Sequence, residues 1–116
     1  PPVHATVRFA ENDMTYDEKH YKRGTAFAVS IAGANRDPEA NKNPDEFDIS
    51  REDIKHISFG YGPHMCIGAS LARIESRIAF ECLFERFENL ELVDKNPVWG
   101  RNLIFRGFDH LKLKAS

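Results

Sequence analysis

The chain has 116 residues, enough for one domain or part of one. With 41% hydrophobic and 29% charged residues, a net charge of -2 and no long apolar run, it is neither disordered nor membrane-spanning, and no signal-peptide pattern opens it. Lys and Arg are not gathered into a block, which argues against a nucleic-acid partner, and the two cysteines, Cys66 and Cys82, are too few for a disulfide scaffold and suit a reducing cytoplasm.

The opening pair Pro1-Pro2 reads as the continuation of an upstream segment or as a trimmed product. In residues 3–10, Val3, Ala5, Val7 and Phe9 alternate with more polar residues, which predicts a half-buried strand. Asn12, Asp13 and residues 17–19 suggest turns, and Lys22-Arg23-Gly24 is a further turn signal. Residues 25–31 (TAFAVSI) predict a second, more buried strand. Residues 33–47 (GANRDPEANKNPDEF) have no period and predict an ordered meander with at most a turn of helix.

Residues 59–66 (FGYGPHMC) carry two glycines and a proline in eight positions. Beyond them Ile67, Leu71, Ile74, Ile78 and Cys82 recur at helical spacing, with Ala72, Ala79, Leu83 and Phe87 as an adjoining stripe. So wide an apolar arc predicts a mostly buried helix over 67–87, with Cys82 as an inert core residue and Phe80, Phe84 and Phe87 as packing. Short alternation at 90–92, 103–105 and 111–113 predicts weak C-terminal strands, with a turn near Asn96-Pro97 and Gly100.

The chemistry concentrates at residues 59–68. A glycine-kinked loop delivers one cysteine to the start of a long helix, where free backbone N–H groups and a partial positive charge stabilise a thiolate. The amides of Ile67, Gly68 and Ala69 are candidate donors to that sulfur, and Phe59 is a large apolar neighbour able to shield it. Gly60 and Gly62 permit backbone angles that a Cβ resists and a close approach to a flat ligand, and Gly68 lets the helix start lie near it. A lone cysteine at a helix start is more often structural. Zinc is disfavoured, because His56, His64, Cys66 and Cys82 have no familiar tetrahedral spacing.

Phe59-Gly60-Tyr61-Gly62-Pro63-His64-Met65-Cys66-Ile67-Gly68 meets every constrained position of the cytochrome P450 haem-binding signature. A chance match at a given start is on the order of one in a million. The likeness extends to residues 69–75 (ASLARIE), 34–38 (ANRDP), 44–51 (PDEFDISR) and 1–8, and is weakest from Glu91 onward. The chain thus resembles the C-terminal, haem-binding portion of a cytochrome P450, of the soluble bacterial type.

That resemblance implies a mainly α fold with small β-sheets, an α+β fragment. Its parts are strands over 1–33, meander over 34–58, Cys-ligand loop over 59–68, long buried helix over 67–87 and short C-terminal strands over 88–116. It implies haem b (iron protoporphyrin IX) with Cys66 as the iron ligand, Arg8 and His64 at the propionates, and Phe59, Gly60, Ile67, Gly68 and Ala69 about the cofactor. Val3, Ala5, Thr6 and Val7 match a substrate-facing strand, and Arg101 and Asn102 a second such element. Arg73 matches a position that docks an electron donor, although an arginine on a helix is as often a solvated one.

The family's function is insertion of one oxygen atom of O2 into an organic substrate, with electrons from a ferredoxin, flavodoxin or reductase. A small apolar substrate, a cytoplasmic location and no membrane partner are expected. The ExxR motif expected before Pro1 and the distal acid–alcohol pair are absent from these residues, so the remainder of the same protein is itself an expected partner. A turn glycine common in the family is replaced by Asp17-Glu18. Two rival expectations are a non-catalytic fragment with little haem binding and a peroxide-using haem-thiolate peroxygenase.

Overall fold

The structure, a computed structural model, describes residues 1–102 and 104–116. It divides into two units, Pro1–Ser58 with Asn102–Arg106, and Phe59–Arg101 with Gly107–Ser116.

In the first unit, β1 (Ala5–Phe9) pairs antiparallel with β4 (Ala26–Ser30), placing Arg8 opposite Phe27 and Ala5 opposite Ser30. Backbone bonds from Ala10 N–H to the Thr25 carbonyl (2.9 Å) and from Gly24 N–H to the Ala10 carbonyl (2.8 Å) extend the ladder. At its other end Val3 bridges Phe105, and His4 N–H reaches the Ile104 carbonyl at 2.8 Å.

Between these strands runs a hairpin, β2 (Met14–Tyr16) with β3 (Lys19–Tyr21), where turns alone were expected. Its two-residue turn places Asp17 (φ 48°) and Glu18 (φ 59°) in the left-handed region, the geometry that matches strand twist. Asp13 braces the hairpin base, accepting hydrogen bonds from Lys22 Nζ (2.9 Å) and the Arg23 amide (2.8 Å). The turn expected at residues 22–24 is present, closed by Thr25 N–H on the Lys22 carbonyl at 3.0 Å.

The strand β4 runs into α1 (Ile31–Ala34), capped by Ser30 Oγ, which accepts from the Gly33 amide at 3.0 Å. The meander that follows is held by side chains. Asn35 donates to Ser58 Oγ (2.9 Å) and accepts from Ile57 N–H (2.8 Å). Asn41, only 8% exposed, donates to the Lys55 carbonyl (3.0 Å) and accepts from the Lys55 amide (3.3 Å). Arg51 donates to the carbonyls of Lys42, Asn43 and Glu46, and Asp48 accepts from the Ser50 hydroxyl and amide. A loop without ladder partners must satisfy its backbone this way.

The second unit carries a 3-10 turn at Gly62–His64, then α2 (Ala69–Arg86), then β5 (Leu90–Leu92) paired with β6 (Leu113–Ala115). The ladder continues through Val93 and Lys112 to a Trp99–Phe108 bridge, whose rings lie 4.1 Å apart. No glycine or proline interrupts α2, and Arg86 in its last turn suits the negative helix end. The helix is shorter than the expected 67–87 because the Gly68 and Phe87 backbones leave helical geometry.

The fold is α+β, with helix and strand claiming equal numbers of residues, so the expected predominance of helix is corrected. The expected burial of α2 is corrected too: Leu71, Ile74 and Ile78 are 58%, 50% and 48% exposed, and Cys82 is exposed. Phe80 and Phe84 stack on each other at 6.2 Å and remain exposed. The second strand, β4, is likewise mostly exposed. The strand expected at 103–105 includes Leu103, which lies outside the described residues; Phe105 forms a bridge only.

Two outcomes follow. Asn41→Ala removes a buried side chain that both donates to and accepts from the Lys55 backbone and is expected to destabilise by about 1–3 kcal/mol in urea denaturation, whereas a change at exposed Asn43 costs less. The Asp13 carboxyl is held below its ordinary 3.8, first by the Lys22 hydrogen bond and then by the Arg23 amide. A lowered carboxyl stabilises the fold above pH 3.8 and loses that contribution as pH falls through its folded value. NMR titration is expected to find Asp13 below 3.8, and Lys22→Met to bring it back toward that value.

Candidate functional site

The loop of residues 59–66 closes on itself through one short backbone bond, Cys66 N–H to the Phe59 carbonyl at 2.7 Å. Two glycines in the left-handed region make this closure possible, Gly60 at φ 77° and Gly62 at φ 71°. A Cβ at Gly60 would stand 3.4 Å from the His64 carbonyl oxygen, whereas one at Gly62 would meet open space. Met65 N–H donates to the Gly62 carbonyl at 3.0 Å and ends the 3-10 turn.

Cys66 therefore sits just ahead of α2 with its side chain exposed. The Ala69 amide donates to the Cys66 carbonyl at 3.2 Å instead of to the sulfur, which corrects one of the three expected donors. Among the described residues the Ile67 and Gly68 amides have no acceptor, the Cys66 sulfur included. Ile67 is fully exposed, at 104%. A Cβ at Gly68 would stand 3.8 Å from Cys66 Sγ, in ordinary contact with the sulfur. Ala69 is buried at 2%, on the covered face of the helix start.

Phe59 is half-buried, and the Arg73 guanidinium lies over its ring, 4.7 Å from the centroid. Such a contact contributes about 0.5–1 kcal/mol at an exposed site. His64 ends the 3-10 turn, exposed and with no carboxylate partner among the described residues. Among the described residues no three His, Cys, Asp or Glu side chains converge on one point.

The other expected residues are dispersed. Arg8 lies on β1, exposed, with Nη1 donating to the Val7 carbonyl at 3.0 Å and no acidic partner among the described residues. Val3, Ala5 and Thr6 are half-buried and Val7 is half-exposed. Arg101 is exposed in a bend. Asn102 turns its side-chain oxygen back onto the Ile104 and Phe105 amides, both at 2.9 Å, so that oxygen is committed to the loop. Sequence reasoning missed Asn35, Asn41 and Arg51, which hold the meander ahead of the cysteine loop. Their only signal was the abundance of asparagine and arginine in a stretch whose carbonyls and amides lack ladder partners.

The site so described is an exposed sulfur on a self-closed glycine loop, followed by a bare apolar side chain. The chain belongs to the cytochrome P450 family, whose profile, described as Cytochrome P450, matches residues 1–107. It is 41% identical over 118 residues to the polyketide biosynthesis cytochrome P450 PksS of Bacillus subtilis strain 168, covering 100% of this chain and 29% of that protein. The 6-deoxyerythronolide B hydroxylase of Saccharopolyspora erythraea is 37% identical, covering 97% of this chain and 28% of the hydroxylase. The PksS structure superposes with a TM-score of 0.91, over 99% of this chain and 30% of that one. P450BioI, solved in complex with a hexadec-9Z-enoic acid-ligated acyl carrier protein, also gives 0.91, at 35% identity over 99% of this chain and 29% of its own. The chain thus spans under a third of the length of these relatives.

Family membership implies a haem cofactor. The residues present fit such a group: a soft donor in the open, an exposed Ile67 for an apolar macrocycle to cover, and no side chain at Gly68 to obstruct it. The two loop glycines make a ranked expectation. Gly62→Ala carries only the left-handed penalty of about 1–2 kcal/mol, whereas Gly60→Ala adds crowding against His64 and is expected to unfold at the lower urea concentration.

Proposed function

We propose that this chain is the thiolate-bearing, C-terminal portion of a haem monooxygenase, with Cys66 as the ligand of the iron in haem b. The carrying observation is the exposed Cys66 sulfur on the glycine-closed loop, with bare Ile67 beside it. When bound, the haem supplies an iron at which O2 is activated, one oxygen atom entering an organic substrate and the other leaving as water. The protein's contribution is to bind, orient and shield.

Cys66 donates electron density as a thiolate. The open Ile67 and Gly68 amides temper that donation by hydrogen bonding to the sulfur. Gly60, Ile67, Gly68 and Ala69 form the apolar seat, and Phe59 excludes water from the sulfur. Arg8 and His64 are exposed and, among the described residues, without acid partners, which suits them to take the two propionates. On this reading Val3, Ala5, Thr6 and Val7 of the β1 segment, with Arg101 and Asn102, face the substrate. Relatives named for polyketide biosynthesis, and one crystallised with an acyl carrier protein, support a mainly apolar substrate. Electrons come from a ferredoxin, flavodoxin or reductase. Among the described residues no helix is long and apolar enough to cross a membrane.

One observation favours a second reading. The uncovered faces of β1 and α2 show that these residues alone leave much apolar surface in water, as a fragment with weak haem affinity would. On the first reading the remainder of a P450 fold covers those faces.

The reduced, CO-bound spectrum separates the two. The proposal expects the long-wavelength Soret band of thiolate ligation, and complete loss of that band in Cys66→Ala. Haem uptake without that band, or no uptake by a chain completed with its remaining P450 segments, would overturn it. Removing a charge-assisted hydrogen bond worth about 1.5–3 kcal/mol, Arg8→Leu or His64→Leu is expected to weaken haem affinity at least about tenfold with the band position kept.

A further inference from the structure

We propose that Arg73 is a positioning residue for the iron ligand, acting through Phe59. This rests on the reading of Cys66 as the thiolate. The resemblance placed Arg73 among donor-docking positions, where a solvated, freely available charge is needed. Here the exposed arginine is also engaged by a ring. The guanidinium lies 4.7 Å from the Phe59 centroid, over the ring face. Among the described residues it forms no salt bridge, whereas Arg77, on the same helix, pairs with Glu81 at 3.6 Å. Arg73 follows buried Ala69 by one helical turn, toward the start of α2, with its own side chain exposed.

The ring it holds belongs to the residue whose carbonyl closes the cysteine loop, at 2.7 Å from the Cys66 amide nitrogen. Helix, ring and loop thus form a continuous chain: α2 holds Arg73, Arg73 holds the Phe59 ring, and the Phe59 backbone holds Cys66. Two consequences follow. The ring is restrained beside the loop, so its shielding of the sulfur is constant. A positive charge is also held on the ring of the residue whose carbonyl closes the cysteine loop, and on this proposal it would favour the more electron-rich state of a ligated iron and raise its midpoint potential.

The contact depends on both partners. A guanidinium is planar and stacks; an ammonium retains the charge without stacking. Leucine at position 73 removes both, and leucine at position 59 removes the seat.

The test is a double-mutant cycle on the haem-loaded protein carrying Arg73→Leu, Phe59→Leu and the pair, with the midpoint read by dithionite titration. Arg73→Leu is expected to lower the midpoint, equivalent to a several-fold change in the reduction equilibrium, and to do little in the Phe59→Leu background. Arg73→Lys is expected to restore part of the shift. A shift of equal size in both backgrounds, or in neither, would overturn the proposal. Ring-proton NMR of Phe59 in the haem-free protein is a second readout. The ring resonances are expected to move in Arg73→Leu, with Arg73→Gln as the substitute should that variant fail to fold, and unchanged resonances would equally overturn it. If the parent protein lacks the thiolate band, the reading of Cys66 fails; if the band is present and the midpoint of Arg73→Leu is unchanged, only the role of Arg73 fails.

Discussion

The hydrogen bond from Cys66 N–H to the Phe59 carbonyl is the constraint on which the site depends. It ties the two ends of an eight-residue loop, so the cysteine cannot drift from the start of α2. It forms only because Gly60 and Gly62 accept left-handed angles, letting the chain reverse within so few residues. The same tie brings Phe59 to the cysteine and, through the stacked guanidinium, links the loop to the helix. A side chain held on a loop is normally mobile; here a backbone bond restrains the residue that bears it.

Preorganisation extends upstream. The meander has no ladder to satisfy its peptide groups, so Asn35, Asn41 and Arg51 do so, bridging its first part to residues 55–58, at the entry to the cysteine loop. A buried amide side chain both donates and accepts, which is why asparagine can close a peptide on each side where an acid or an aliphatic cannot. In contrast, β1, β4 and α2 leave their apolar side chains largely in water. Local order in this chain comes from backbone closure and polar clamps more than from a hydrophobic core, which is consistent with the short share of its relatives that it spans.

What was legible in the sequence was what chemistry or a single residue type dictates locally. Gly24 marked the turn before β4, and the cysteine loop announced itself through Phe59, Gly60, Gly62 and Cys66. The helical period after Gly68 located α2 to within two residues at its start and one at its end. The β2–β3 hairpin was missed because Asp17 and Glu18 occupy left-handed positions that usually advertise themselves with Asn or Gly. The clamps of Asn35 and Asn41 were missed because their partners lie far along the chain, at residues 55–58.

The sequence by itself determined the family, the glycine-kinked cysteine loop and the period of the helix, since each is a property of neighbouring residues. Only the tertiary structure decided which groups face water, which amides beside Cys66 stay open, and that Arg73 rests on Phe59. Those outcomes depend on packing between distant segments. An apolar stripe states that a face seeks cover, and only the other elements of the fold decide whether it finds it.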